Sequence, residues 1–200
     1  MGGKINMSNS NDLRALKTLH AIETSFLNLL ENKKFKNITI NDISENAIIN
    51  RSTFYLHYTD KYQLLDQLVD RQITAVLTTI SPRPHIKNNG KLDYNLFSSD
   101  LEKSLEVIAT QHILYQFMLN DSESLGLRKK IEKALAKTLS QSFPPETMIA
   151  RDLLVEIISS IYISVISWWL NNDMVYSSQF MASELVKFFE LGSASLLPNK

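Results

Sequence analysis

Cysteine is absent from the 200 residues. No disulfide framework and no thiolate metal site is open to the chain, which suits a reducing cytosol. Glycine and proline are scarce, five of each, and they cluster in a few places. Long segments without breakers favour helices over a many-stranded β fold. Net charge is missing as well, since 21 basic residues face 21 acidic ones. A coat that binds nucleic acid regardless of sequence needs a basic excess, so that class is excluded. Specific DNA recognition is not, because only the contacting surface must be positive. Between Asn11 and Lys61 seven basic residues stand against six acidic ones, a balance of +1, so placement must carry any such argument.

Catalytic signatures are lacking too. There is no paired-carboxylate constellation, nucleophile elbow, Gly-rich phosphate loop or metal motif, so the chain does not read as an enzyme and no cofactor is expected. His20, His85 and His112 lie far apart with no ligand spacing, so no metal site is expected from them. The first six residues have no apolar core of a signal peptide, and Asn6 stands where a myristoylation motif has Ser or Thr. Residues 1–10 read as a loose tail and the chain as cytoplasmic.

What is present is a helical pattern with enough apolar content, 44%, to build a core. Leu16, Leu19, Ile22, Phe26, Leu29 and Leu30 recur at steps of three and four, which predicts a helix over about 12–32. Thr39 is placed to cap a short second helix by accepting from the Asp42 N–H. Asn50 is placed to cap a third from Arg51 to about Tyr58, and a fourth runs from Thr59-Asp60 to about Ile80. Ser81-Pro82-Arg83-Pro84 and Asn88-Asn89-Gly90 break the chain. Further helices are expected over 97–110, 112–119, 127–142, 148–170 and 177–194. The run from Leu153 to Leu170 is largely apolar but carries Glu156 and four serines. It reads as a buried central helix and not as a membrane span.

The third helix carries the functional signal. Phe54 and Tyr58, four apart, turn inward with Ile43 and Ile49. Arg51, Ser52, Thr53, Tyr55, Leu56 and His57 are left on the other surfaces. An Arg on the first turn suits guanine O6 and N7, and hydroxyls suit bases or phosphates. Lys61 adds a cation, and its helix start adds backbone N–H groups, at a phosphate-binding end.

Thr39-Ile40-Asn41-Asp42-Ile43, Ala47, Asn50-Arg51-Ser52-Thr53-Phe54-Tyr55-Leu56-His57-Tyr58, Asp60-Lys61 and Leu64-Leu65 together resemble the DNA-binding domain of the TetR/AcrR family of bacterial regulators, over about residues 14–69. Trp168-Trp169-Leu170, Asn172 and Tyr176-Ser177 more faintly resemble the C-terminal region of the subgroup that includes dihydroxyacetone-kinase operon activators. The resemblance implies an all-α fold of about nine helices. A three-helix DNA-binding domain over 11–60 precedes a helical dimerisation and effector domain over 61–200. It implies that Thr39, Asn41, Arg51, Ser52, Thr53, Tyr55, His57 and Lys61 touch DNA. One residue departs from the family pattern: Ile48 stands where the turn usually has Gly. A β-branched residue in a left-handed conformation costs ~1–2 kcal/mol.

The body supplies two more expectations. From the aromatic group Tyr94, Phe97, His112, Tyr115, Phe117, Met118, Trp168 and Trp169, an effector pocket is drawn on Phe97, His112, Tyr115, Met118 and Trp168. The alternative is plain core. The last two helices hold more apolar surface than one protomer hides. A homodimer interface is therefore expected at Ile158, Ile161, Val165, Trp169, Met181, Leu185, Phe188 and Phe189. The expected function is a homodimeric regulator, a repressor on a palindromic double-stranded operator, controlled by a small-molecule effector. The alternative is a co-activator whose body binds a protein partner.

Overall fold

The computed structural model describes residues 7–80, 93–120, 123, 125–143 and 146–191, with side chains from residue 13 onward. Residues 81–90 and the end of the expected last helix beyond 191 lie outside that set, as does His85. Among the described residues there are nine α-helices, one short 3-10 turn and no strand. The helices are α1 (Met7–Asn32), α2 (Ile40–Asn46), α3 (Arg51–Tyr55), α4 (Lys61–Thr79), α5 (Tyr94–Thr110), α6 (His112–Asn120), α7 (Leu127–Ser142), α8 (Arg151–Asn171) and α9 (Ser178–Leu191). The 3-10 turn is Phe35–Asn37.

Two compact units divide the chain, residues 1–70 and 71–200, with the boundary inside α4. In the first, Ile22 and Phe26 of α1 close a small core with Phe35, Ile38, Ile43, Phe54, Leu64 and Val69, all almost fully buried, while Leu16 of the expected apolar face is 61% exposed and Leu19, Leu29 and Leu30 are half-buried. Phe26 meets Phe35 edge to face, with centroids 6.1 Å apart. Buried Ser25 donates to the Ile43 carbonyl at 2.9 Å, tying α1 to α2. The Tyr58 hydroxyl donates to Glu23 at 2.8 Å, tying the end of the α3 segment to α1.

In the second unit α5 packs on α9, and α8 packs on α6 and α7. The Tyr162 hydroxyl donates to Ser104 Oγ at 2.9 Å, which itself donates to the Leu101 carbonyl, so α8 is pinned to α5. Burial pushes the Tyr162 phenol up to about 12 against the opposing pull of Ser104. Arg151 donates to the carbonyls of Ser140 and Phe143, covering the C-terminal end of α7.

Among the described residues, α8 is the one helix long and apolar enough to cross a membrane. Burial, unlike apolarity, is uneven around its axis: Leu153, Ile157 and Trp168 are apolar yet exposed. Val155, Tyr162, Ile163, Ile166, Trp169 and Leu170 are buried, while Asp152, Glu156, Ser160, Ser164 and Asn171 are exposed. That asymmetry is what a packed helix with one open side requires. α8 begins at Arg151, three residues later than expected, because Ala150 is extended (φ −49°, ψ 125°).

Candidate nucleic-acid interface

The site is built on the two short helices α2 and α3. Thr39 is extended (φ −109°, ψ 161°) and makes a full capping box. Its hydroxyl accepts from the Asp42 N–H, and its own N–H donates to Asp42 at 2.7 Å. Lys33 closes on the same carboxylate at 2.7 Å. Lys33, then the Thr39 backbone and hydroxyl, hold the Asp42 carboxyl down to about 2.

α2 ends in a Schellman motif. Ile48 N–H donates to Glu45 and Ile49 N–H to Ser44, around an Ile48 with φ 56°. The strain expected at Ile48 is therefore present. Its side chain is 92% exposed, so no packing offsets it. Ser44 Oγ, buried beside the turn, has no hydrogen-bond partner among the described residues.

α3 follows with Asn50 in the extended backbone of an N-cap. Contrary to expectation its side chain makes no capping hydrogen bond. The helix is also shorter than expected, ending at Tyr55 with Leu56 as its C-cap. Phe54 and Tyr58 are buried, and Arg51, Ser52, Tyr55 and Leu56 are exposed, with Thr53 and His57 half-buried. Arg51 leans on the Tyr55 hydroxyl at 3.5 Å. Thr39 and Asn41 are exposed on α2. The structure thus brings the expected contact residues of both helices onto one small unit. Leu56, expected on the outer surface but not among the contact residues, is 82% exposed and one helical turn from Ser52.

Two expectations at the start of α4 are corrected. The Tyr62 and Gln63 N–H groups of its first turn are not open to an anion, because both donate to Asp60 Oδ1 at 2.8 Å. The Lys61 ammonium is not turned outward either. It donates to the carbonyls of Phe35, Lys36 and Ile38 at 2.8, 3.0 and 2.8 Å.

The second unit holds a cavity of about 50 Å³ and an open groove of about 560 Å³. The structure does not gather the five expected effector residues. Phe97 lines the cavity, with Leu101, Leu135, Ile158, Tyr162 and Phe189 among its walls. Tyr115 and Met118 are fully buried, and the Tyr115 hydroxyl donates to the Gln72 carbonyl at 2.7 Å. His112 is half-buried against the Ala109 carbonyl, and Trp168 stands in the groove.

Of the expected interface residues, Ile161, Val165, Met181, Leu185 and Phe188 line the groove, together with Trp168, Tyr176 and Phe180. Ile158 and Phe189 face the cavity. Trp169 is corrected from the interface to the interior. It is 1% exposed, and its indole N–H donates to the Tyr176 carbonyl at 2.8 Å. Adjacent helical residues point about 100° apart, so Trp168 stands in the groove while Trp169 turns inward.

Residues 95–191 match the transcriptional regulator C-terminal region of TetR-type proteins. Over 187 residues the chain is 25% identical to an uncharacterised HTH-type transcriptional regulator, YxbF, of Bacillus subtilis. That match covers 90% of this chain but 46% of the relative, so the chain spans less than half of that protein's length. Among solved structures, a TetR-family regulator from Syntrophomonas wolfei superposes with a TM-score of 0.65 at 20% identity, covering 92% of this chain and 98% of the other. The dihydroxyacetone kinase operon activator DhaS superposes with a TM-score of 0.57 at 16% identity, covering 86% and 94%. These structural likenesses speak for the fold.

Proposed function

We propose that the chain is a transcriptional regulator of the TetR type, acting as a homodimer on a palindromic DNA operator in the cytoplasm. The unit that ends at Asp70, ten residues beyond the expected 11–60, serves as the DNA-binding domain, and the unit from Arg71 as the dimerisation and regulatory domain. One observation carries the reading: Arg51, Ser52 and Tyr55 are exposed on a short helix whose opposite side, Phe54 and the following Tyr58, is locked into a core. A rigid seat beneath a polar outer face is what a major-groove reader requires. Arg51 reads a guanine, Ser52, Thr53, Tyr55 and His57 divide between bases and phosphates, and Thr39 and Asn41 hold the backbone from α2. Leu56 lies where an apolar group meets a thymine methyl. The α8–α9 groove takes the same face of a second copy, making a four-helix interface. Occupying a promoter in this way represses transcription.

Control requires a signal that binds the two arrangements of the dimer unequally. A small-molecule effector is the first reading, drawn from the family. The second reading, a co-activator whose body takes a protein partner, is favoured by the cavity. At about 50 Å³ it is far below the ~300–1,000 Å³ of ordinary ligand sites. The test of the main proposal is selection of duplexes from a random-sequence pool by the full chain. Enrichment of an inverted repeat is expected. Failure to enrich any sequence at low ionic strength refutes the proposal.

A further inference from the structure

The Lys61 ammonium has three protons and no acceptor. Three carbonyl oxygens surround it, those of Phe35, Lys36 and Ile38. It also stands 4.7 Å from the centroid of the Phe35 ring and 5.5 Å from that of Tyr62, within cation–π range. The first two carbonyls belong to the 3-10 turn and the third to its C-cap, an end where carbonyl dipoles concentrate negative charge. Thr39, the cap of α2, follows immediately. Lys61 itself opens α4, just beyond the reader segment. One side chain therefore ties the turn that leads into α2 to the start of α4, the helix that follows the reader segment.

We infer that Lys61 is a positioning residue: it fixes the angle between α2 and α3 through the backbone of residues 35–38 and makes no hydrogen bond to a DNA phosphate. A phosphate would have to draw the ammonium off acceptors already in place, leaving the part-buried Phe35 and Ile38 carbonyls without it. The consequence for recognition rests on the DNA-binding reading above, whereas the clamp itself does not.

Lys61→Met and Lys61→Arg in the full chain test it. Met keeps most of the stem without the charge. Arg keeps the charge, but its planar fork does not aim three donors at carbonyls converging on one point. Amide hydrogen exchange without DNA is expected to quicken over residues 37–42 in both variants. Binding is then measured where all proteins are fully folded, on a random-sequence duplex across salt concentrations and on a duplex selected by the unmutated chain. The account expects an unchanged salt slope for Lys61→Met, and about a tenfold loss of preference for the selected duplex in both variants. A slope lowered by about one in Lys61→Met, with Lys61→Arg behaving as the parent, identifies a phosphate contact and overturns the inference. Unchanged preference with only a lower melting temperature makes Lys61 a plain stabiliser and overturns it too. If the parent chain selects no duplex, the DNA-binding reading fails by itself. The exchange experiment still decides the clamp, and unchanged exchange in both variants sinks it.

Discussion

At the scale of single residues, three substitutions separate strain, electrostatics and recognition. Ile48 holds φ 56° with its side chain in solvent. Ile48→Gly removes the left-handed penalty and adds back some unfolded-state entropy, so denaturant unfolding should show a gain of about 1 kcal/mol. Asp42 has its carboxyl held at about 2, below the ordinary 3.8. A depressed folded-state value stabilises the fold above 3.8, and that share disappears as pH falls through 2. Unfolding curves of the parent and Asp42→Asn should therefore differ by a constant amount above pH 3.8 and converge toward 2; a gap that widens in acid contradicts the assignment. Arg51→Ala should lose about 1–3 kcal/mol of discrimination at one base pair per half-site. Equal weakening on selected and random duplexes would remove Arg51 from base reading.

At the scale of elements, the caps and faces decide. Thr39→Ala removes the hydroxyl arm of the α2 capping box, leaves the backbone N–H donating to Asp42, and should cost about 1 kcal/mol in thermal or denaturant unfolding. On α9, Phe180 is 44% exposed and stacks on Tyr176 in the groove, with centroids 4.6 Å apart. Phe180→Glu should leave the protomer folded, by circular dichroism, and weaken self-association in sedimentation. Unaltered association would move the interface elsewhere.

This scale also explains what was legible in the sequence. The steps of three and four in α1, the Thr39–Asp42 spacing and the Phe54–Tyr58 pair carry helix, cap and buried face in the residue order itself. In α8 apolar residues occur all round, so periodicity does not say which side faces inward. The groove position of Trp168 and the interior position of Trp169 are accordingly not readable from spacing. The reach of the Lys61 side chain to a turn 23 residues away, at Ile38, depends on tertiary geometry that no local spacing encodes. The same holds for the cavity, whose walls come from distant parts of the chain.

At the scale of the whole molecule, recognition of a palindrome needs two copies of α3 one helical turn of DNA apart, about 34 Å. The proposed function makes the reader and the groove interdependent: without pairing through α8 and α9 the short reader of one protomer would contact a single half-site. The mass of the protein in solution, alone and with a selected duplex at low ionic strength, tests this most directly. The account predicts a species of twice the 22.9 kDa protomer that binds as one pair per duplex. A lone 22.9 kDa species that binds none of the duplexes contradicts it.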